Sequence, residues 1–314
     1  MSGLVWLALG AGMLVVGAEL FAENVLSAAR RVGLTAVALG VLLAGAEPEE
    51  AITAGIASAR EHPQLAAGDA IGANLVVLTL ALGLAGVFTA LPVSRRVREY
   101  AGAVAVAGLA ALALLADGSV GRLEGGLLVF GYLLAVGWVW RREQRPPAVG
   151  EVAESEHDES EEDGDASPTL LAVALVVVGV ALMGGGGWFA VTGASRVVSA
   201  LGLDDTGVGL TLLALATSVE MLALVLAAVR HRVGEVALAG LVGAVAYNAT
   251  VSLGVGALVA PLRGVGDARL LAVAGVCVVL PLTLLGLGRW KAVDRWGGAA
   301  LALAYVLAVP LLLT

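Results

Sequence analysis

The chain reads as an all-α membrane protein of about ten transmembrane helices arranged as two inverted five-helix repeats, and three observations predict this. Hydrophobic residues fill 59% of its 314 positions, with a mean hydropathy of +0.95. The apolar runs recur at lengths that cross a hydrocarbon core of about 30 Å. One long polar stretch divides them into two blocks that are similar to each other at a fixed offset. In lipid every backbone amide must be satisfied within its own segment, so runs this rich in Leu, Val and Ala are helices. Outer-membrane strands would alternate apolar and polar positions, and these do not.

In chain order the runs fall near 3–24, 33–58, 70–91, 100–116 and 122–140, then near 168–193, 206–229, 234–261, 268–288 and 297–313. Residues 1–140 form the first repeat and 168–314 the second. The stretch 141–167 between them is an acidic linker, expected to be disordered because it is highly charged and poor in aromatics. Nine acids between Glu151 and Asp165 account for the net charge of −8. The remainder is nearly neutral.

Orientation follows from the basic residues. With the N-terminus outside, 13 of the 18 Lys and Arg fall in cytoplasmic turns, leaving Arg60, Arg122, Arg196, Arg263 and Arg269 outside. The positive-inside bias therefore predicts an inner (plasma) membrane protein with both termini outside and the linker in the cytoplasm. Five spans per block give the blocks opposite orientations, the arrangement of transporters with a midplane site. The internal similarity is one of sequence as well as hydropathy. Val37–Glu49 pairs with Gly209–Met221 at an offset of 172 residues, and Gly68–Asn74 pairs with Ala239–Val245 at an offset of 171.

Several function classes lose support. Cys277 is the single cysteine and lies in an apolar run, so no internal disulfide holds the fold. The basic residues are too scattered for a nucleic-acid surface. His62, His157 and His231 have no partners at zinc or catalytic spacing, and no cofactor motif is present, so neither an enzyme nor a cofactor is expected. The segment Met1–Leu20 lacks a basic n-region and reads as the start of the first span. The expected partners are the lipid bilayer and small inorganic cations.

Chemistry concentrates at intramembrane acids. Glu47, Glu49 and Glu50 sit mid-span, where an ionised carboxylate costs about 2.5–3.5 kcal/mol or more. Pro48 among them removes a backbone donor, so the helix is expected to break there and free carbonyls beside the carboxylates. Such oxygens suit Na⁺ or Ca²⁺. Thr217, Ser218 and Glu220 fall at the matching place in the seventh span. Asn248 in the eighth span offers an amide oxygen, and Asn74 in the third does so nearer the membrane edge. Facing repeats predict that Glu49 and Glu220 approach each other near the midplane. Glu19 and Glu23, one helical turn apart, read as a gating or structural pair at the cytoplasmic mouth. Asp69, Asp204 and Asp205 precede spans and read as helix caps.

These paired motifs resemble the two α-repeats of the calcium/cation antiporter superfamily, the sodium/calcium exchanger family. Its hallmark is Gly-Thr-Ser-x-Pro-Glu, then Gly-Asn-x-x-Gly-Ser-Asn-x-x-Asn/Asp. The first repeat matches at Pro48, Glu49 and Thr53, and again at Gly68, Gly72 and Asn74; the second matches at Thr217, Ser218, Gly243 and Asn248. Gly17-Ala-Glu-Leu20 is similar to the family's first helix. The resemblance implies alternating access, in which the first and sixth spans slide against the other eight and inward Na⁺ or H⁺ drives another cation out. It also implies that Glu49 and Glu220 hold the transported cation, with Glu47, Thr217, Ser218 and Asn248 around it and Glu50, Thr53 and Asn74 as secondary candidates.

The departures bear on the ion. Met221 stands where the family has its second glutamate, Ala44, Gly45 and Ala46 replace Gly-Thr-Ser, and Ala73, Ala244 and Val77 replace further polar ligands. A regular helix turns Glu220 about 100° away from Met221, so Glu220 substitutes only in an irregular span. Fewer carboxylates favour a monovalent cation or a proton over Ca²⁺. The competing reading is a non-transporting sensor or scaffold on a decayed exchanger fold. The cost of keeping idle intramembrane acids weighs against it.

Overall fold

The structure is a computed structural model and describes residues 2–31, 47–89, 91–92, 95–143, 169–230, 234–286 and 292–314. Most of the acidic linker, the first part of the second expected span with Ala44, Gly45 and Ala46, and His157 and His231 lie outside the described residues.

The first half comprises α1 (Ser2–Arg31), α2 (Pro48–Ala59), α3 (Pro63–Leu75), α4 (Leu82–Phe88), α5 (Arg95–Ala116) and α6 (Arg122–Glu143). The second comprises α7 (Thr169–Leu201), α8 (Asp205–Val208), α9 (Ala214–Thr217), α10 (Val219–Arg230), α11 (Gly234–Tyr247), α12 (Leu253–Val259), α13 (Ala268–Gly286) and α14 (Arg295–Leu313). Wider π-helical turns join α3 to α4 (Val76–Ala81), α8 to α9 (Gly209–Leu213) and α11 to α12 (Asn248–Ser252). Among the described residues seven helical segments are long and apolar enough to cross a membrane, with Asp205–Thr217 and Ala268–Thr283 as shorter apolar helices.

The segments Pro63–Phe88 and Gly240–Val259 are mostly buried, whereas α1, α5, α6, α7 and α14 turn most of their apolar surface outward. In water that distribution would be ruinous, but lipid tails solvate such faces as well as a protein core does. The two buried rods also share their local irregularity. Each carries a π-helical turn at its middle and ends on an extended residue, Thr89 (φ −147°) and Ala260 (φ −145°).

α1 and α7 pack antiparallel along a glycine seam. A Cβ built at Gly3, Gly10 or Gly17 would lie 3.0, 2.8 and 2.8 Å from the carbonyl oxygens of Gly193, Gly186 and Gly179. Only glycine permits this backbone approach, and the seven-residue spacing keeps the seam facing its partner at a shallow crossing angle. Two short antiparallel ladders link the halves. β1 (Leu91–Pro92) pairs with β4 (Ala292–Val293), and β2 (Ser119–Val120) pairs with β3 (Leu262–Arg263).

Arginines and aromatics cluster at one end of the α1–α7 pair. Arg60 stacks over Trp188 and donates to the Thr192 hydroxyl at 2.8 Å, Arg196 stacks over Trp6, and Trp6 stacks on Phe189. Two sequence expectations are corrected nearby. His62 does have partners, since Nδ1 is 2.9 Å from Asp205 Oδ2 and Nε2 is 3.3 Å from Ser195 Oγ. The three residues lie 133 and 143 positions apart, which spacing along the chain cannot reveal. The Ser195 hydroxyl donates to the Val191 carbonyl at 2.8 Å, so its proton is directed into its own helix and the group reads as a tie between α7 and the core. Asp204 does cap α8 by accepting from the Gly207 amide at 2.9 Å. Asp69 caps nothing, because its helix starts at Pro63 and carries it inside.

Candidate cation site

A helix start in the first half and an interrupted span in the second build the site. α2 opens on Pro48 at its first turn, with Glu47 outside the helical region (φ −108°, ψ 75°). A helix therefore starts at Pro48, where the break is expected, and this sets Glu49 and Glu50 in a first turn whose free amides and dipole favour negative charge. On the other side α9 ends at Thr217, Ser218 (φ −82°, ψ 7°) leaves the helix, and α10 restarts at Val219. With the π-helical turn Gly209–Leu213 just before it, this span is irregular, as Glu220 required.

Polar residues of the second half meet acids of the first. The Thr217 hydroxyl donates to Asp69 Oδ1 at 3.1 Å, the Ser218 hydroxyl reaches Glu50 Oε1 at 3.4 Å, and the Asn248 amide donates to Glu47 Oε2 at 3.1 Å. Ser252 then donates to Asn248 Oδ1 at 3.1 Å, which fixes the amide with its nitrogen toward Glu47. The first half thus supplies most of the charge and the second the neutral donors. Tyr247 packs edge-on against Tyr132, with ring centroids 5.5 Å apart, in a cluster with Ala51 of α2.

The donor set is incomplete. Glu49 Oε2, Glu50 Oε2, Asp69 Oδ2, Asn74 Oδ1, the Thr53 hydroxyl and both oxygens of Glu220 are buried without a hydrogen-bond partner among the described residues. Nor do Glu49, Glu50, Asp69 or Glu220 form an ion pair with a basic side chain there. Buried carboxylates normally collect donors or a counter-charge. Oxygen-only ligands left open in this way suit a hard cation such as Na⁺ or Ca²⁺. No group of three or more His, Cys, Asp or Glu converges at metal-ligating distance among the described residues, so the arrangement is not a closed resident-metal cage.

The expected site residues separate into two sets. Glu47, Glu49, Glu50, Thr53, Asn74, Thr217, Ser218, Glu220 and Asn248 are all buried, and hydrogen bonds join Glu47 to Asn248 and Glu50 to Ser218. Glu19 and Glu23 are exposed on α1 and stay out of the buried cluster. Asp69 was not anticipated, although it is fully buried and bonded to Thr217. A signal existed: Asp69 stands at the first Asn of the Gly-Asn-x-x-Gly pattern whose glycines are Gly68 and Gly72. Taken as charged punctuation, it displaced the start of the third span to residue 70.

Comparison with known proteins agrees with this geometry. The family model described as sodium/calcium exchanger protein matches residues 2–141 and 171–314. A putative antiporter, CaxA, of Alkalimonas amylolytica is 31% identical, covering 97% of this chain and 94% of that protein. An uncharacterized membrane protein of Methanocaldococcus jannaschii is 24% identical over 98% of this chain and 94% of its own. In structure the chain superposes on the sodium-calcium exchanger NCX_Mj, solved after soaking with 100 mM Na⁺ and 10 mM Sr²⁺, with a TM-score of 0.62 at 22% identity over 98% of both chains. With a helix start at Pro48, an interrupted span at Ser218, buried carboxylates on both and a family match over both halves, the chain belongs to the sodium/calcium exchanger family.

Proposed function

We propose that the protein is a secondary cation antiporter that binds a dehydrated cation at the buried carboxylates and releases it to either side by alternating access. The observation that carries this reading is the convergence of first-half acids on second-half donors, with open carboxylate oxygens and, among the described residues, no basic partner at Glu49, Glu50, Asp69 and Glu220. Fixed negative charge in low dielectric offsets much of the cost of stripping an ion of water. Glu49 is the central ligand, Glu220 adds charge from the second half, and Thr217, Ser218 and Asn248 orient the acids. The exchanger and antiporter names of the relatives support transport of Na⁺, Ca²⁺ or both, and none supports a scaffold.

The ten spans form two inverted repeats, residues 1–140 and 168–314, joined through the acidic linker, with both termini outside. The ladders favour this arrangement. At offsets of 171 and 173 residues, β1 corresponds to β3 and β2 to β4, and the observed pairs β1–β4 and β2–β3 exchange under a two-fold axis. Each ladder also joins two turns that the charge bias assigns to one side of the membrane.

The test is flux into proteoliposomes under Na⁺, H⁺ and Ca²⁺ gradients. Glu49→Gln keeps the shape and removes the charge, so exchange should cease while the protein stays folded. Glu220→Gln should reduce exchange less. Wild-type exchange by Glu49→Gln under every gradient would remove Glu49 as the central ligand.

A further inference from the structure

Two acids of the buried cluster, Asp69 and Glu50, hold positions to which the antiport reading assigns no separate role. Asp69 in α3 is 0% exposed and Glu50 in α2 is 1% exposed. Two consecutive residues of the second half hold their carboxylates, Thr217 the one and Ser218 the other. The Thr217 hydroxyl donates to Asp69 Oδ1 at 3.1 Å. Ser218 holds Glu50 Oε1. On each acid the second oxygen, Asp69 Oδ2 and Glu50 Oε2, is buried without a partner among the described residues. An acid kept only for structure would have both oxygens satisfied, and two adjoining carboxylates repel each other unless something positive lies between them.

We propose that Asp69 and Glu50, held by Thr217 and Ser218, form a binding subsite for a hard divalent cation such as Ca²⁺. Two carboxylates match the charge of one divalent ion, and the two hydroxyls add neutral oxygens of the kind such ions accept. Asp69 is therefore a ligand that sets the choice between divalent and monovalent cargo, and the chain recovers a divalent-capable pocket despite Met221. This rests on the antiporter reading, because the subsite must exchange its ion with the Glu49 pocket to contribute to transport. The position of Glu50, next to Glu49 on the first turn of α2, gives the two pockets a shared wall.

The test uses the full chain, purified and reconstituted, with ⁴⁵Ca²⁺ and ²²Na⁺ equilibrium binding and gradient-driven uptake measured on wild type, Asp69→Asn, Glu50→Gln and Glu49→Gln. Asp69→Asn should lower Ca²⁺ affinity tenfold or more and Na⁺ affinity by a smaller factor, because each lost charge costs a divalent ion about twice what it costs a monovalent one. Glu50→Gln should do the same, and the double variant should lose little more than either single change, since both act on one ion. Wild-type Ca²⁺ affinity in Asp69→Asn, or equal losses for the two ions, overturns the subsite. If Asp69→Asn does not fold, Glu50→Gln decides by the same criteria. Loss of all exchange in Glu49→Gln with unchanged Ca²⁺ affinity in Asp69→Asn sinks the subsite alone, whereas no exchange by the wild type under any gradient sinks the antiporter reading itself.

Discussion

Gly10→Ala tests whether α1 and α7 are held at backbone distance. The new Cβ would lie 2.6 Å from the Ala190 nitrogen, 2.8 Å from the Gly186 oxygen and 2.9 Å from the Ala190 Cα, whereas ordinary contact begins at 3.4 Å. All three are backbone atoms, so no rotamer change relieves the clash, and the helices must separate locally by about 0.8 Å. A gap of that size forfeits about a quarter to a half of the dispersion energy of the contacts it opens. Overpacking of this kind costs about 1–3 kcal/mol. The matched control is Gly12→Ala on the same helix, where an added Cβ meets nothing within 4 Å and alanine is the better helix former by about 1 kcal/mol. Thermal melting of the purified protein should show a fall of several degrees for Gly10→Ala and none for Gly12→Ala. If α1 moves along this seam during transport, Gly10→Ala should also slow uptake while leaving cation affinity at equilibrium within about two-fold, because it touches no carboxylate. Identical melting and uptake in Gly10→Ala and wild type would refute the reasoning.

Two further outcomes are expected. Ser155→Cys, placed in the acidic linker, should react with membrane-impermeant thiol reagents only from the cytoplasmic side, since the buried Cys277 gives no background; labelling from outside would reverse the topology. Arg269→Ala should destabilise the protein in a pH-dependent way. Partial burial pushes the Asp204 carboxyl up, but the Gly207 amide and the Arg269 guanidinium outweigh it, and Arg269 does the same for Asp267, so both sit below the ordinary carboxylate range. Groups depressed in the folded state stabilise it above their unfolded pKa of about 3.9 and lose that contribution as pH falls through the folded value. The melting difference between wild type and Arg269→Ala should therefore be full above about pH 4 and shrink below it; a difference that stays constant with pH would rule out these contacts as its cause.

The sequence by itself determined the membrane class, the near positions of the helices, the duplicated motifs and most of the acids. Each is a local property. Apolar runs partition into lipid according to their own length and composition, and an acid within such a run is costly wherever the rest of the chain goes. The start of α2 was legible for the same reason, because Pro48 acts on its own backbone. Tertiary structure alone decided which donor meets which acid. Thr217 and Asp69 are 148 residues apart and Asn248 and Glu47 are 201 apart, and nothing in either segment specifies the other. It also decided the place of Asp69. Read along the chain, a charge at residue 69 marks a span boundary, but with a threonine from the other half against it the same charge lies inside a buried helix. The irregular path around Ser218 is likewise a product of packing, since π-helical turns persist where neighbouring elements hold them rather than where residue preference requires them.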